Sequence, residues 1–392
     1  MVKIKSENLI AKTGNEATAL AMKQINPDVV AAYPITPATE IMQIFAQYVA
    51  DGEVDTEFIP VESEHSALSA CVGSCAAGAR TMTATSSQGL ALMFEILNIA
   101  SGLRLPIVMC VVNRALSAPI NIHGDHSDVM GVRDCGWIQI YSETVQEVYD
   151  NLIIGIKIAE TSFLPVIVNM DGFILSHCME PFKKESSLKI KKFLGKPKFL
   201  YSLLKNKITV GAIDFQDYYL EHKKQESEAM IEAKKNIKKV DQQFKVTFGR
   251  GYSFFEGYKL SDAEVVIIAA GSTAGTVKEV VDNLRSRRQK VGLLKIRIFR
   301  PLPYQELRNV LKDKKVIAIL DKADSYNSFS GPLASEIRNL LYSYSKAKII
   351  DYVYGLGGRD LLFEDVYSVF NDCQKIIKEG KITFEQKFLG VR

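Results

Sequence analysis

The feature that most constrains the fold is a regular alternation of short apolar runs with longer helical stretches from Gly14 to Asp171. The apolar runs are rich in β-branched side chains, as in strands that are buried on both faces. The predicted strands are Val29–Tyr33, Glu57–Val61, Thr81–Thr85, Pro106–Val112, Trp137–Tyr141 and Pro165–Asn169. The predicted helices are Pro37–Val49, Glu64–Ala77, Gln88–Ala100 and Thr144–Glu160. This order predicts an α/β fold with a doubly wound parallel sheet that helices cover on both faces.

A second α/β pattern occupies the C-terminal part of the chain. Its predicted strands are Glu264–Ala270, Lys290–Lys295, Lys315–Leu320 and Lys348–Tyr352, and its predicted helices are Thr276–Arg288, Pro303–Leu311 and Gly331–Tyr344. At 392 residues the chain exceeds the size that one hydrophobic core usually reaches, so two domains are expected. We predict a first domain over residues 1–242 and a second over residues 243–392.

Residues 181–242 interrupt this rhythm and predict an arm that belongs to the first domain. The segment mixes lysines with aromatic residues and then enters a predicted helix at Tyr218–Val240. Glutamates are interleaved with the lysines of this helix, a pattern typical of a solvated or subunit-facing surface. The formal net charge of the chain is only +4. We therefore expect no nucleic-acid partner, although a basic scaffold that recruits nucleic acid through residues 183–239 is an alternative.

Composition also bears on the compartment and on metal clusters. No apolar run approaches the ~20 residues that span a bilayer, and residues 1–8 lack the pattern of a signal peptide. The protein is therefore expected in the cytoplasm, away from membranes. The cysteines are scattered and form no CxxC pair; they are Cys71, Cys75, Cys110, Cys135, Cys178 and Cys373. Because an iron–sulfur cluster needs about four positioned thiolates, any cluster is expected on another polypeptide.

Polar residues that follow three predicted strands are the candidates for chemistry. Thr36 follows the first strand, Glu64 the second, and Arg114 the run that ends at Val112. Each has an ordinary explanation by itself, since Glu64, for example, suits the first turn of a helix whose N-cap is Ser63. Ligands of open parallel sheets, however, bind at the carboxyl ends of the strands. The three residues together predict one crevice that holds a hydroxyl, a carboxylate and a guanidinium.

Two further segments allow more than one interpretation. The histidines and aspartates of Asn121–Asp128 could bind a metal, but no helix fixes their spacing, so substrate contact or loop ordering is favoured. The glycine-rich turn Gly271–Gly275 could bind an anion through its backbone amides. A turn that needs positive φ is the simpler interpretation.

The order of these motifs resembles the alpha subunit of pyruvate:ferredoxin oxidoreductase over nearly the whole chain. The resemblance is carried by Ala32–Glu40, Glu62–Ala67, Gly78–Ser87, Val112–Ser117, Asp125–Asp128 and Tyr354–Asp360. It implies a pyrimidine-binding thiamine diphosphate domain followed by a transketolase C-terminal-like α/β domain. It also implies an enzyme whose cofactor site is divided between subunits.

The resemblance assigns roles to five residues. Glu64 matches the glutamate that contacts the aminopyrimidine ring of thiamine diphosphate and assists proton transfer there. Thr36 and Arg114 match the residues that hold the 2-oxoacid, for which the planar fork of arginine suits a carboxylate. Tyr33 and Pro34 are expected beside the cofactor. This chain lacks a GDG-type metal–diphosphate motif, so the diphosphate and Mg²⁺ are expected on a beta subunit and no metal on this chain.

The implied reaction is oxidative decarboxylation of pyruvate with coenzyme A to acetyl-CoA and CO₂, which can also run in reverse as pyruvate synthase. Electrons would pass to ferredoxin through iron–sulfur clusters on ferredoxin-like gamma and delta subunits of a heterotetramer. A branched-chain 2-oxoacid enzyme is the first alternative, because the residues that measure the substrate side chain need not lie on this chain. A self-contained transketolase-like enzyme is the second.

Overall fold

The computed structural model describes residues 8–392, so the prediction about the N-terminal segment falls almost wholly outside the described part. The strands are β1 (Leu9–Thr13), β2 (Val29–Ala32), β3 (Glu57–Pro60), β4 (Thr81–Thr85), β5 (Val108–Asn113), β6 (Ile138–Tyr141), β7 (Val166–Asp171), β8 (Met179–Lys183), β9 (Phe255–Tyr258), β10 (Val265–Ala270), β11 (Val291–Ile296), β12 (Ile298–Arg300), β13 (Val316–Asp321), β14 (Lys348–Val353) and β15 (Gln386–Phe388). The helices are α1 (Gly14–Ile25), α2 (Thr39–Ala50), α3 (Glu64–Ala77), α4 (Ser87–Leu92), α5 (Phe94–Gly102), α6 (Ser127–Gly131), α7 (Val145–Ser162), α8 (Ser187–Leu194), α9 (Tyr219–Phe248), α10 (Thr273–Ser286), α11 (Tyr304–Leu311), α12 (Pro332–Leu341) and α13 (Phe363–Glu379).

The first sheet has seven strands in the order β12-β6-β7-β5-β4-β2-β3. All neighbouring pairs are parallel except the edge pair β12–β6, in which Ile298 lies opposite Ile140. The strand β12 comes from the second α/β pattern, so the chain returns to the first sheet after residue 297. The predicted α/β fold with its parallel sheet is confirmed.

Helices cover both faces of this sheet, as the continuous apolar strands predict. On β5, Val108, Cys110 and Val112 point into one core, which α1 and α7 close, and Met109 and Val111 point into another, which α3 closes. Alternate side chains of a strand face opposite sides of the sheet. Both faces are therefore fully buried.

The second sheet has the order β15-β14-β13-β10-β11-β9, and only β9 is antiparallel to its neighbour. One face packs against α10 and α13 through Val265 and Ile267. The alternate residues Val266 and Ile268 belong to the same core as Met109 of the first sheet. The two sheets therefore share one hydrophobic core.

Two predicted helices differ most from those in the structure. The helix predicted over Gln88–Ala100 is two helices, α4 and α5, which meet at Met93. The helix predicted over Tyr218–Val240 is longer, because Val240, Phe244 and Phe248 continue its buried stripe at helical spacing. As a result α9 runs without a break through residue 242, where the first domain was predicted to end.

Within residues 181–242, α8 and the part of α9 from Ala233 onward pack into the core that lies against the first sheet, whereas most of residues 203–228 are exposed. The strand β8 pairs antiparallel with β1, and Phe193 of α8 packs against Phe244 of α9. The Tyr201 hydroxyl donates a hydrogen bond to the Leu103 carbonyl at 3.0 Å. In residues 8–392, no helix has both the length and the apolar character needed to cross a bilayer.

Candidate active site

The three predicted residues lie at the carboxyl edge of the first sheet. Thr36 follows β2, Glu64 follows β3 and Arg114 follows β5. The strand β4 lies between β2 and β5, so its carboxyl end occupies the middle of this edge. The structure therefore brings the residues to one edge and adds the Thr85–Gly89 segment between them.

Glu64 is the first residue of α3 and is held by an ordinary helix start. The Ser63 hydroxyl accepts a hydrogen bond from the Ser66 amide at 3.2 Å, which makes Ser63 the N-cap as predicted. Glu64 is only 7% exposed. Within residues 8–392, no donor makes a hydrogen bond to its carboxylate. A nearly buried carboxylate without a donor can still accept a hydrogen bond from a ligand.

A notch at Gly89 accommodates the Glu64 side chain. A β-carbon on Gly89 would lie 2.7 Å from Glu64 Oε1 and 2.8 Å from its Cγ, and it would also collide with Thr85 Oγ1. The Thr85 hydroxyl is buried and has no partner in the described part of the chain. The position of the Glu64 carboxylate therefore depends on the absence of a side chain at residue 89.

Arg114 and Thr36 are in direct contact. Arg114 Nη1 donates to the Thr36 carbonyl and Nε donates to the Asn121 carbonyl, both at 2.9 Å. Arg114 is 6% exposed, and burial lowers the pKa of its guanidinium while Asp128 opposes that shift. Among residues 8–392, Nη2 makes no hydrogen bond. Two backbone carbonyls thus orient the guanidinium and leave Nη2 available to an anionic ligand.

Asp128 connects the ends of β4 and β5. Its Oδ2 accepts from the Ser87 amide at 3.1 Å and from the Arg114 amide at 2.9 Å, and its Oδ1 accepts from Asn113 Nδ2 at 3.2 Å. Burial raises the pKa of Asp128 to about 7, although these amide hydrogen bonds oppose the rise. For Asp128 the sequence predicted only the alternatives given for its segment, with substrate contact or loop ordering favoured over a metal, and no role was predicted for Ser87 or Gly89. The rule that identified Glu64 and Arg114, applied to the polar run after β4, would have found Ser87 but not Gly89.

Three side chains that follow β2 are exposed to solvent. Thr36 and Pro34 are exposed and Tyr33 is 37% exposed, so all three are accessible to a ligand. Two apolar segments flank the same edge. They expose Leu92 and Phe94 at the junction of α4 with α5, and Leu116, Ile120 and Ile122 in the loop after Arg114.

The segment Asn121–Asp128 orders loops. Asp125 accepts from the Ser127 amide at 2.9 Å and from the Gly357 amide at 3.0 Å. His126 Nε2 lies 2.7 Å from Asp171 Oδ1, whereas His123 lies beside Asn121 and Phe173. The two histidines therefore contact different groups, and the contacts of this segment match loop ordering.

The turn at Gly271 binds a carboxylate of its own chain. Gly271 has φ +73°, as the simpler interpretation predicts, and the Ser272 amide donates to Asp171 Oδ2 at 2.8 Å. Burial by itself would raise the pKa of Asp171, but Lys322, whose Nζ lies 3.4 Å away, and His126 hold this pKa well below its usual range. Asp171 ends β7, so this cluster ties the second sheet to the edge that carries the site.

Fold and site together define the class: an α/β protein of the thiamine diphosphate-binding type with a second α/β unit. The family model described as "Pyruvate flavodoxin/ferredoxin oxidoreductase, thiamine diP-bdg" matches residues 20–242, and "Pyruvate:ferredoxin oxidoreductase core domain II" matches residues 263–366. The chain belongs to the pyruvate:ferredoxin oxidoreductase family, a family of oxidoreductases. The resemblance predicted from the motifs is confirmed.

Relatives match over nearly their full length. The pyruvate synthase subunit PorA of Thermotoga maritima is 52% identical and is matched over 98% of both chains. PorA of Methanocaldococcus jannaschii is 48% identical over 93% of this chain and 94% of its own. The ketoisovalerate oxidoreductase subunit VorA of Pyrococcus abyssi is 45% identical over 97% of both. Each of these relatives is named as one subunit of an enzyme.

A solved structure shares the fold. It is 2-oxoglutarate:ferredoxin oxidoreductase from Magnetococcus marinus, with 2-oxoglutarate, coenzyme A and succinyl-CoA bound. The TM-score is 0.73 at 21% sequence identity, and the match covers 94% of this chain and 66% of that one. At this identity the likeness supports the fold alone.

Proposed function

We propose that this chain is the alpha subunit of an enzyme that oxidatively decarboxylates pyruvate with coenzyme A to acetyl-CoA and CO₂, a reaction that also runs in reverse as pyruvate synthesis. The observation that carries the proposal is the nearly buried carboxylate of Glu64, which lies in the Gly89 notch at the same sheet edge as the Arg114–Thr36 pair and accepts no hydrogen bond from residues 8–392. The relatives named for pyruvate reach 52% identity, against 45% for those named for ketoisovalerate. Pyruvate is therefore the first choice of substrate.

The residues at this edge suit the aminopyrimidine part of thiamine diphosphate. Glu64 would accept a hydrogen bond from a ring nitrogen, since its carboxylate has no donor from the described chain. Its fixed start on α3 and the Gly89 notch would hold that acceptor in place during proton transfer. Tyr33 and Pro34 would contact the cofactor from the loop after β2. When bound, the cofactor supplies the nucleophilic carbon and the electron sink for decarboxylation.

Arg114 and Thr36 would bind the 2-oxoacid. The free Nη2 and the second hydrogen of Nη1 offer a charge-assisted contact to the substrate carboxylate. The Thr36 hydroxyl is exposed beside this guanidinium and can donate one hydrogen bond to the carboxylate or the keto oxygen. Burial of Arg114 strengthens the pairing, because a charge held in low dielectric interacts more strongly.

The rest of the enzyme is assigned to other chains. A beta subunit would hold the diphosphate and Mg²⁺, and ferredoxin-like gamma and delta subunits would carry iron–sulfur clusters that pass electrons to ferredoxin. The apolar side chains around the edge support a protein partner there. We place the complex in the cytoplasm. We retain a division between residues 242 and 243, with residues 181–242 as the arm.

Glu64→Gln in the reconstituted complex tests the proposal. The amide keeps the size of the side chain but cannot serve as the carboxylate partner of the ring. Exchange of the C2 proton of bound thiamine diphosphate, followed by NMR after mixing with D₂O, should slow by roughly 10²- to 10⁴-fold. Glu62→Gln is the matched control, because Glu62 is an exposed carboxylate two residues earlier. Exchange at the wild-type rate in Glu64→Gln would remove Glu64 from this role.

Two further measurements separate the alternatives. An oxoacid panel on the complex should give the highest kcat/KM with pyruvate. A preference for 2-oxoisovalerate would support the branched-chain alternative suggested by the VorA relatives. Because one methylene changes pocket affinity by only about 1–3 kcal/mol, the ratio of the two kcat/KM values decides between the substrates, and activity with one of them does not. Calorimetry with the chain alone should show no tight binding of thiamine diphosphate. Tight binding would contradict a cofactor site shared between subunits.

A further inference from the structure

A cavity lies near the edge of the first sheet opposite to the one that carries the candidate active site. It has a volume of about 600 Å³ and lies between α7, α8 and α9. Its side of α7 is the C-terminal end, and α7 ends at Ser162, just before β7 begins at Val166. The cavity is therefore near the amino ends of the parallel strands, whereas Glu64 and Arg114 are at the carboxyl ends.

The lining of this cavity is strongly and uniformly basic. Five lysines line it, and no aspartate or glutamate of residues 8–392 does; the lysines are Lys157, Lys189, Lys192, Lys198 and Lys239. Side chains that can form hydrogen bonds complete the wall, among them Thr161, Asn236 and Gln243. Like charges that converge on one concavity repel each other unless an anion lies between them.

Most of these lysines lack a carboxylate partner. Lys189 pairs with Glu185 at 3.4 Å, but Glu185 also pairs with Arg250 at 2.9 Å. The other four have no carboxylate within 4.0 Å in the described part of the chain. On α9 itself, Lys235 and Lys238 point elsewhere and pair with Glu232 and Glu306. Four lysines without a carboxylate partner therefore converge on this cavity.

Lys157 is subject to repulsion by the positive charges around the cavity. Its Nζ donates to the Leu194 carbonyl at 2.8 Å, so the ammonium is fixed at the wall. Burial lowers the pKa of Lys157, and the positive charges of Lys198 and Arg80 lower it further, against the opposing effect of Glu160. A bound anion would relieve this repulsion.

We propose that this cavity binds a small molecule that carries three or more phosphate groups, such as a nucleoside triphosphate or coenzyme A. A volume of about 600 Å³ lies within the usual range for small-molecule sites. Five convergent cations match the charge of a polyphosphate. A nucleic acid is disfavoured, because Lys235 and Lys238 of α9 are neutralised by ion pairs and the aromatic side chain in the wall, Phe193, is buried instead of offering a stacking surface.

Calorimetry with the full chain tests the proposal, with ATP, coenzyme A and inorganic tripolyphosphate as separate probes. At least one should bind, and Lys192→Gln/Lys239→Gln should weaken that binding by roughly tenfold or more, since charge-assisted contacts are lost. Lys205→Gln/Lys207→Gln is the control: it removes the same charge from exposed lysines of the same segment that do not line the cavity. The control should bind like the wild type.

The pattern among the probes identifies the source of the phosphate groups. Binding of all three points to the polyphosphate alone, and binding of only ATP or only coenzyme A adds recognition of the organic part. The proposal is overturned if no probe binds, or if both double variants weaken binding equally. It is also overturned if an oligonucleotide displaces the probe and binds more tightly than it. All these lysines except Lys157 and Lys189 are exposed, and an unchanged Tm would show that the variants fold.

Discussion

Gly89→Ala is the substitution that most directly tests how the Glu64 carboxylate is positioned. The added β-carbon would lie 2.7 Å from Glu64 Oε1 and 2.8 Å from its Cγ, whereas ordinary contact begins near 3.4 Å. Because protein interiors are close-packed, the carboxylate must retreat by about 0.7 Å. Thr85, which the new methyl also meets, blocks relaxation in the other direction.

The expected loss is kinetic, with a smaller effect on stability. A misplacement of about 1 Å at a reacting group can cost ~10²-fold, so C2 proton exchange should slow by roughly 10- to 100-fold. The KM for the oxoacid should change little, because the atoms nearest to the added β-carbon belong to Thr85 and Glu64 and not to Arg114 or Thr36. Overpacking costs about 1–3 kcal/mol, and alanine in a helix returns up to about 1 kcal/mol of that. The Tm should therefore fall by a few degrees at most.

NMR exchange measurements and steady-state kinetics on the complex would decide this prediction. Gly102→Ala is the control: it lies in the neighbouring helix α5, and no atom lies within 4 Å of its added β-carbon. The Gly89→Ala/Glu64→Gln double variant should be no slower than Glu64→Gln, because both changes act through one carboxylate. Normal exchange in Gly89→Ala, or additive losses in the double variant, would refute the reasoning.

Three other outcomes follow from the structure. Arg114→Lys loses the planar fork, so the KM for pyruvate should rise by roughly 10- to 100-fold in steady-state assays while C2 exchange is kept; an unchanged KM would count against a substrate contact. Asp128 keeps its proton to about pH 7 in the folded chain but only to about pH 4 when unfolded. The free energy of unfolding should therefore decrease as pH rises from about 4 to 7, and Asp128→Asn should flatten this part of a Tm-versus-pH curve; an equal slope would contradict the assignment. Cys178 is the exposed thiol, whereas burial raises the pKa of Cys71 and of Cys110 to about 12. Mass spectrometry should find native alkylation at Cys178 first, and early labelling of the other two would show that their helix and strand open.

The strand and helix order was predictable because it rests on local patterns. The helix Glu64–Ala77 has the predicted bounds, since Ser63 caps its start and Gly78 ends it in the left-handed region. The approach of Thr36 to Arg114 was also predictable in outline, because parallel strands end at one edge. Local signals therefore gave the edge and its polar residues.

Contacts between residues distant in sequence were not predictable in this way. The notch under Glu64 comes from Gly89, 25 residues later, and nothing in either local sequence indicates the contact. The amide of Ser272 meets Asp171 across 101 residues. The edge strand β12 follows the arm in the sequence but pairs with β6 of the first sheet. This pairing depends on how the two α/β units pack. Such contacts are set by tertiary packing, which overrides local propensity.

The surroundings of the site explain why a lone chain should be inactive. Glu64 and Arg114 are nearly buried, yet the apolar ring formed by the two flanking segments is exposed, with Ile120 at 79%; its side chains are Leu92, Phe94, Leu116, Ile120 and Ile122. Exposed apolar side chains grouped beside buried charged ones are typical of a surface that another protein covers. Covering this ring would exclude water from the carboxylate and the guanidinium and so strengthen both contacts to their ligands. The part of the rate acceleration that depends on the exclusion of water should therefore appear only in the assembled complex. This holds even for ligands that Glu64 and Arg114 can contact in the lone chain.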